Sequence, residues 1–343
     1  MELSSHSPRR VTLVITARGG TEKLKRCLAA ASAQTFEDLE LLAVDAGTQD
    51  GSSGVLKSWQ EQEPRAVVCR IESASLAAAR NAGLDRATGD FILFVDGKDY
   101  LVPDAVSECM SCLSERPAQI LCFGRRIVDR TEEERTSVFP DIDTIFARGE
   151  QVQSELLPKI IGYDPDRGVK TAMRLLPAYA MISMDLIRRL DWRFEEDGEI
   201  PDGEQLSLLS LFKDVSAVGI HCNDCYCESA GEEGTADAVE LYRRLSAHHD
   251  RMLQRYRDIG YPYSVGRAIR AMYLCGTGDV LRVLQKSDLS LPQKLRAMNT
   301  IAGDEKLKAT IREVKRDPEV DPDAFFQMAF GGSPFLKLIR RIR

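Results

Sequence analysis

The strongest constraint on what this chain can fold into is an alternation that occupies its N-terminal third. Residues 11–17 (VTLVITA), 39–45 (LELLAVD), 66–71 (AVVCRI) and 91–95 (FILFV) are short, continuous apolar runs rich in β-branched residues. Between them lie segments with helical spacing. Gly19-Gly20 leads into 21–34, where Leu24, Cys27, Leu28 and Ala31 share one face; a turn through Gly47, Asp50 and Gly51 leads into a helix around 52–62; and an alanine-rich helix over 75–87 closes at Thr88-Gly89. Strands apolar on both faces and joined by helices imply right-handed crossovers and a mainly parallel sheet covered on both sides. The expected class is α/β, Rossmann-like.

Ligands of such sheets sit beyond the carboxyl ends of the strands, where the strand order reverses. The loops to inspect are therefore 16–20, 45–51 and 96–99, which together hold Thr16, Arg18, Asp45, Asp50, Asp96, Lys98 and Asp99.

Further along, a helix is expected near 103–115 and a strand at 119–123. The charged stretch 129–135 (DRTEEER) reads as a solvated turn, 202–213 as a helix and 215–221 as a strand. Ser229 to Asp237 looks like a linker. Beyond it Leu241, Leu245, His248, Met252, Leu253 and Tyr256 keep helical spacing, and prolines and glycines break the remainder into further helices. The expected organisation is one domain over 1–228, with a first half at about 11–123 and a second at about 124–228, followed by a helical C-terminal region over 229–343.

A formal net charge of -7 argues against a generic nucleic-acid binder, which needs a basic field to neutralise phosphates. No apolar run approaches the ~20 residues that span a bilayer. The start, MELSSHSPRRVTLVITA, reads as a lead-in to the first strand and not as a secretory signal, and nine scattered cysteines suit reduced thiols. A cytoplasmic protein is expected.

The ordered series VTLVITA, QTFEDLELLAVDAGTQDGS and SLAAARNAGLDRATGDFILFVDGKDYLVPDA resembles the donor half of family-2 glycosyltransferases. Gln34-Thr35-Phe36, Asp45 with Gly47, Arg80-Asn81-Ala82-Gly83, Gly89 and Asp96 carry the resemblance, which is strong over roughly 11–105 and weak over roughly 175–228. It implies a GT-A fold, a nucleoside-diphosphate sugar donor (a UDP-sugar first), inverting transfer, and a glycan or lipid-linked acceptor in surface-polysaccharide synthesis at the inner face of the membrane. Sugar transfer to a hydroxyl needs a base to take the proton and a cation to stabilise the departing diphosphate. In the family that cation is Mg or Mn held by an Asp-x-Asp motif.

Here the motif reads Asp96-Gly97-Lys98-Asp99, with a lysine where the second acid normally stands. Two readings follow: Lys98 bonds the diphosphate itself in a metal-independent site, or catalysis has been lost and the chain is a degenerate, non-catalytic binding protein. Asp99 offers a second carboxylate beside Asp96 for a metal. The resemblance also places Ala46 where a second acid commonly meets the nucleotide base, and Arg18 where an aromatic ring often stacks on it; Thr16, Asp45 and Arg80 complete the expected donor set. The family's base is an acid opening a helix of the acceptor half, which maps to Asp202 with Glu204 as the alternative; helix capping is the competing role for Asp202.

Other signals have plainer readings. Cys109-x-x-Cys112 and Cys222-x-x-Cys225-x-Cys227, with His221 adjacent, combine into a zinc site only if two distant segments meet, so packing is the expected role of these thiols. His248 and His249 are expected to be structural, and Tyr179 to be a core residue. The C-terminal SPFLKLIRRIR (333–343) puts Phe335, Leu338, Ile339 and Ile342 on one helical face and Lys337, Arg340, Arg341 and Arg343 on the other. That pattern suits either an anionic membrane surface or docking on the protein's own core.

Overall fold

The computed structural model describes residues 10–17, 20–47, 50–73, 75–128, 135–138, 145–195, 203–230, 237–331, 333, 335 and 336, with only the backbone of 135–137. The chain divides into two compact units, residues 1–152 with 175–231 and residues 153–174 with 232–343.

The first unit opens with β1 (Val11–Ala17), α1 (Thr21–Ser32), β2 (Leu39–Asp45), α2 (Ser52–Gln62), β3 (Ala66–Arg70), α3 (Leu76–Arg86), β4 (Phe91–Asp96), β5 (Tyr100–Leu101), α4 (Ala105–Glu115), β6 (Ile120–Val128), β7 (Arg135–Val138) and β8 (Phe146–Arg148). The chain then contributes α5 (Leu157–Ile161), β9 (Tyr163–Asp164) and β10 (Val169–Lys170) to the second unit. It returns as β11 (Ala180–Ser183), α6 (Met184–Leu190), α7 (Gly203–Phe212) and β12 (Ala217–Ser229). The described strands build one sheet in the order β3-β2-β1-β4-β11-β6-β12-β5, with β7 on β6 and β8 on β12. β3, β2, β1 and β4 are parallel, β11 runs against both β4 and β6, and β12 is parallel to β6. This is the mainly parallel α/β sheet that the alternation predicts.

Every residue of β1 is buried, as expected for a strand covered on both faces. Each such Val, Leu or Ile contributes roughly 1.5–3 kcal/mol of burial. The cover on one face is unusually close: a Cβ on Gly83 of α3 would stand 2.5 Å from Val14 Cγ1, so glycine is what lets α3 lie directly on β1. That approach sets the height of Arg80, one turn earlier on the same helix.

β6 and β12 outrun their expected lengths. The stretch from His221 to Cys227, which looks like a turn because its pattern is polar, continues as strand beside β6 through register shifts between His221 and Asp224 and between Asp224 and Tyr226. Gly124 makes the first shift sterically feasible, since a Cβ there would meet the Asn223 carbonyl oxygen at 2.9 Å.

The second unit adds α8 (Ala238–Ile259), α9 (Tyr263–Lys286), α10 (Leu291–Gly303), α11 (Glu305–Arg316) and α12 (Pro322–Phe330) to the helix and hairpin of 153–174. Residues 153–174, expected in the acceptor half, instead pack with these helices: the Tyr163 ring meets that of Phe325 edge-on at 5.8 Å. The second unit thus combines the five described C-terminal helices with an internal segment that the linear sequence does not reveal. Phe335 is buried and its ring lies 6.1 Å from that of Phe330, so this residue faces its own unit and not a membrane; residues 337–343 lie outside the described ones. Among the described residues no helix is long and apolar enough to cross a membrane.

His248 and His249 are both buried, and the His249 ring stacks on Tyr273 at 4.2 Å. Burial, reinforced by the nearby charges of Lys306 and Arg270, pushes the His249 pKa down to about 3. A histidine whose folded pKa lies below its unfolded value stabilises the fold above the unfolded pKa, and that stability is lost as pH falls. Below about pH 6.5 the parent should lose up to ~1.4 kcal/mol per pH unit that a His249→Gln variant keeps. Urea unfolding of both proteins at about pH 7 and about pH 5 checks this; equal acid sensitivity would show that His249 is not the titrating group.

Candidate functional site

The parallel register brings the strand ends together. Thr16 pairs with Asp96 across β1 and β4, and Ala17 pairs with Asp45 across β1 and β2, at the point where strand order turns back on itself. Thr16 Oγ1 donates to Asp96 Oδ1 at 3.1 Å.

Arg80 reaches this point from α3, whose first turn is capped by the Ser75 hydroxyl accepting from Ala78 N at 3.3 Å. Its guanidinium is almost wholly buried, with Nη2 3.2 Å from Asp96 Oδ1 and Nη1 2.5 Å from Glu204 Oε1. Phe94 and Phe194 flank it, their ring centroids 6.0 and 5.5 Å away. Burial opposes the charge, but the carboxylates of Glu204 and Asp96 outweigh it and hold the pKa above the ordinary arginine value. One cation thus ties the end of β4 to the start of α7, and Asp96 keeps some solvent exposure.

Next to Arg80, Asn81 acts as a backbone mimic. Its Nδ2 donates to the Phe194 carbonyl at 2.9 Å, and its Oδ1 accepts from Phe194 N at 2.8 Å. The Arg80-Asn81-Ala82-Gly83 run therefore carries three distinct functions: an ion bridge, a strand-like clasp and a close helix-to-strand contact.

The loop after β4 is a tight turn, closed by Asp99 N donating to the Asp96 carbonyl at 2.8 Å and anchored by Gly97 N donating to the Thr16 carbonyl at 2.8 Å. The far end of β12 holds it. Tyr226 Oη donates to Asp99 Oδ2 at 2.8 Å, Ser229 N donates to Asp99 Oδ1 at 2.8 Å, and the Ser229 hydroxyl donates to the Lys98 carbonyl at 2.6 Å. Arg26 Nη2 adds a bond to that carbonyl at 3.2 Å while its guanidinium lies over the Tyr100 ring.

Asp99, expected as a second metal carboxylate, is therefore committed elsewhere. Only 3 % of it is exposed, and both of its oxygens serve β12. Burial raises its pKa to about 6 against the opposing Ser229 amide and the Lys98 charge. Lys98 is half-buried, and among the described residues its ammonium has no ion-pair partner.

Asp45 is buried and also occupied. Oδ1 accepts from Gly47 N at 3.0 Å and Oδ2 from the Ser53 hydroxyl at 2.5 Å, which fixes the turn into α2. Ala46 is buried and offers no side-chain hydrogen bond. Tyr179, as expected, is a core residue; its ring meets Tyr226 edge-on at 5.3 Å and its hydroxyl donates to Glu228 at 2.9 Å. Arg18 and Asp202 lie outside the described residues. Thr16, Arg80, Asp96 and Glu204 are thus brought into one cluster, with Lys98 on the adjoining turn. Arg26, Asn81, Tyr226 and Ser229 are the supporting residues that sequence reasoning missed. Only Asn81 had a signal, its place inside the motif.

Residues 12–163 match the family model described as Glycosyl transferase family 2. Glycosyltransferase GlyA of Streptococcus pneumoniae is 30% identical over 111 residues, which is 32% of this chain and 16% of that protein. The chain spans between about a sixth and a third of the length of the first curated relatives it matches. Among solved structures, S. aureus TarS 1-349 in complex with UDP aligns over 96% of this chain and 87% of its own, with a TM-score of 0.56 and 16% identity. The mannosyltransferase PcManGT from Pyrobaculum calidifontis in complex with GDP-Man and Mn2+ aligns over 88% and 82%, with a TM-score of 0.54 and 15% identity. At those identities the likeness is one of fold, and the fold is GT-A.

Proposed function

We propose that this chain, which carries a glycosyltransferase family 2 region at residues 12–163, is an inverting glycosyltransferase that passes a sugar from a nucleoside diphosphate, UDP first, to a glycan or lipid-linked acceptor in surface-polysaccharide synthesis. The observation that carries the reading is the cluster at the strand ends: Asp96 stands in register beside Thr16 and is joined through Arg80 to Glu204 at the start of α7. Such a cluster couples a donor-side carboxylate to the helix that opens the acceptor half. The names of GlyA, a glycosyltransferase, and of PcManGT, a mannosyltransferase, support the same class, and the UDP of the TarS complex and the GDP-Man of the PcManGT complex support a nucleoside-diphosphate donor.

In this reading Asp96 orients the donor's ribose and diphosphate, and Asp202 is the base that takes the acceptor proton. Of the described acids at the loop, only the Asp96 carboxylate stays partly exposed to offer Mg or Mn a ligand; the oxygens of Asp99 are spent on β12, and the Lys98 ammonium repels a cation. The residues fit a metal poorly. Lys98 takes its electrostatic part, meeting the leaving diphosphate as a point charge.

The test is donor-induced thermal stabilisation across a panel of UDP- and GDP-sugars, with and without Mn2+. The parent should shift without the metal, Lys98→Ala should lose donor affinity by about tenfold or more, equivalent to ~1.4 kcal/mol, and Lys98→Asp should bind only with Mn2+. Parental binding by Lys98→Ala would remove the lysine from the site. The buried Ala46, which offers nothing to a nucleotide base, favours a second reading as a non-catalytic binding protein; transfer of a labelled sugar to an acceptor by the parent would exclude it.

A further inference from the structure

The fold closes the sequence gap between the two cysteine segments. α4 and β12 lie side by side, and three chemically distinct ligand atoms converge between them: a Glu108 carboxylate oxygen, a ring nitrogen of His221 and the Cys225 sulfur, all within 4.8 Å of one another. His221 Nε2 is 2.9 Å from Glu108 Oε2, and on its other side Nδ1 is 3.1 Å from Cys112 Sγ. Cys109 hydrogen-bonds with Cys225, and Asn223 Nδ2 donates to Glu108 Oε2 at 2.9 Å. Cys225 is fully buried, the His221 side chain is 13% exposed and that of Glu108 is 38% exposed, so the pocket is closed on the thiol side and reachable on the carboxylate side.

We propose that Glu108, His221 and Cys225 form a binding site for a borderline-soft divalent cation of the zinc class, separate from the donor site. The donor set decides the metal. Thiolate, imidazole and carboxylate together suit Zn2+, whereas Mg2+ and Mn2+ prefer all-oxygen shells. Ligand atoms around a tetrahedral Zn2+ stand roughly 3.3–3.8 Å apart, given bonds of about 2.0–2.3 Å, and the separations here bracket that span. One thiolate and one carboxylate neutralise the ion, which lets it sit where burial would penalise a net charge. The neighbours match an outer shell: Cys112 meets the free ring nitrogen and fixes the imidazole, while Cys109 holds the Cys225 sulfur.

Its position gives the site a role. His221 and Cys225 bracket the register shifts of β12, and the next residue is Tyr226, whose hydroxyl holds Asp99 and accepts from Asp96 N at 3.3 Å. A cation there pins α4 to an irregular strand directly behind the loop that carries Asp96 and Lys98.

The probe is Co2+, which gives an intense sulfur-to-metal charge-transfer band only when a thiolate binds it. Full-length protein, reduced and stripped of metal, should develop that band with one equivalent of Co2+. One equivalent of Zn2+ should abolish the band and raise the unfolding temperature. His221→Ala and Cys225→Ser should each weaken Co2+ binding by about tenfold or more, while Asp96→Ala should leave the band intact because Asp96 is not one of its ligands. No band in the reduced parent, or a band of parental affinity in both His221→Ala and Cys225→Ser, overturns the proposal. Since the band reads sulfur ligation alone, its failure leaves the donor assignment standing.

Discussion

Arg80→Met protein is expected to unfold at markedly lower urea, having lost about 3–5 kcal/mol, the cost of removing one partner from a buried ion cluster. Methionine fills the slot between Phe94 and Phe194 well enough, so packing is not the source of the loss. The source is charge: Asp96 and Glu204 both rest on this guanidinium, and without it two carboxylates face each other in a partly desolvated place. Arg80→Lys should recover only part of the loss, because a single ammonium cannot span both acids as the planar fork does. Adding Asp96→Asn and Glu204→Gln to Arg80→Met should restore most of it. A parental urea midpoint for Arg80→Met would mean that the cluster is not what joins β4 to α7.

Asp202→Asn should leave donor-induced stabilisation unchanged and lower turnover by at least ~10²-fold, since the amide cannot take the acceptor proton. The assignment is what the resemblance to family-2 glycosyltransferases implies, and Glu204, two residues further on, lies against Arg80 at the strand ends. Glu204 itself is paired with the buried guanidinium, an arrangement that suits a positioning group. Glu204→Gln should therefore weaken stability as well as turnover, whereas Asp202→Asn should touch turnover alone. Wild-type turnover in Asp202→Asn, with loss in Glu204→Gln, would move the base to Glu204.

The first half of the sheet was legible because its strands are short, continuous apolar runs rich in β-branched residues that alternate with segments of helical spacing. β1, β2 and α2 fall where the sequence alone put them. The place of the Asp96 loop was legible too: it follows β4 and so falls at the carboxyl ends of the parallel strands, beside Thr16. What the sequence hid lay in long-range pairings. Tyr226 and Asp99 are 127 residues apart, and Cys112 and His221 are 109 apart, so no local spacing could join them. β12 was read too short because His221, Asn223 and Asp224 interrupt its apolar alternation. The interruption is real, and two register shifts absorb it. Residues 153–174 were assigned by their order along the chain, whereas the packing of Tyr163 on Phe325 assigns them to the helices that come later.

The grip of Tyr226 and Ser229 on Asp99 has a consequence in time. During synthesis the Asp99 carboxylate leaves the ribosome 127 residues ahead of the hydroxyl that receives it, a wait on the order of 10 s at ~5–20 residues per second. Throughout that interval the nascent β1 to β4 layer can pair and cover itself with helices, yet the turn carrying Asp96 and Lys98 has no wall behind it. Asp99 stays hydrated and ionised until the last strand arrives, then surrenders its water as β12 docks. The Asp96 loop is thus completed by the last described strand of its sheet to be translated, and a chain stalled before β12 would hold a folded scaffold with that turn unfinished.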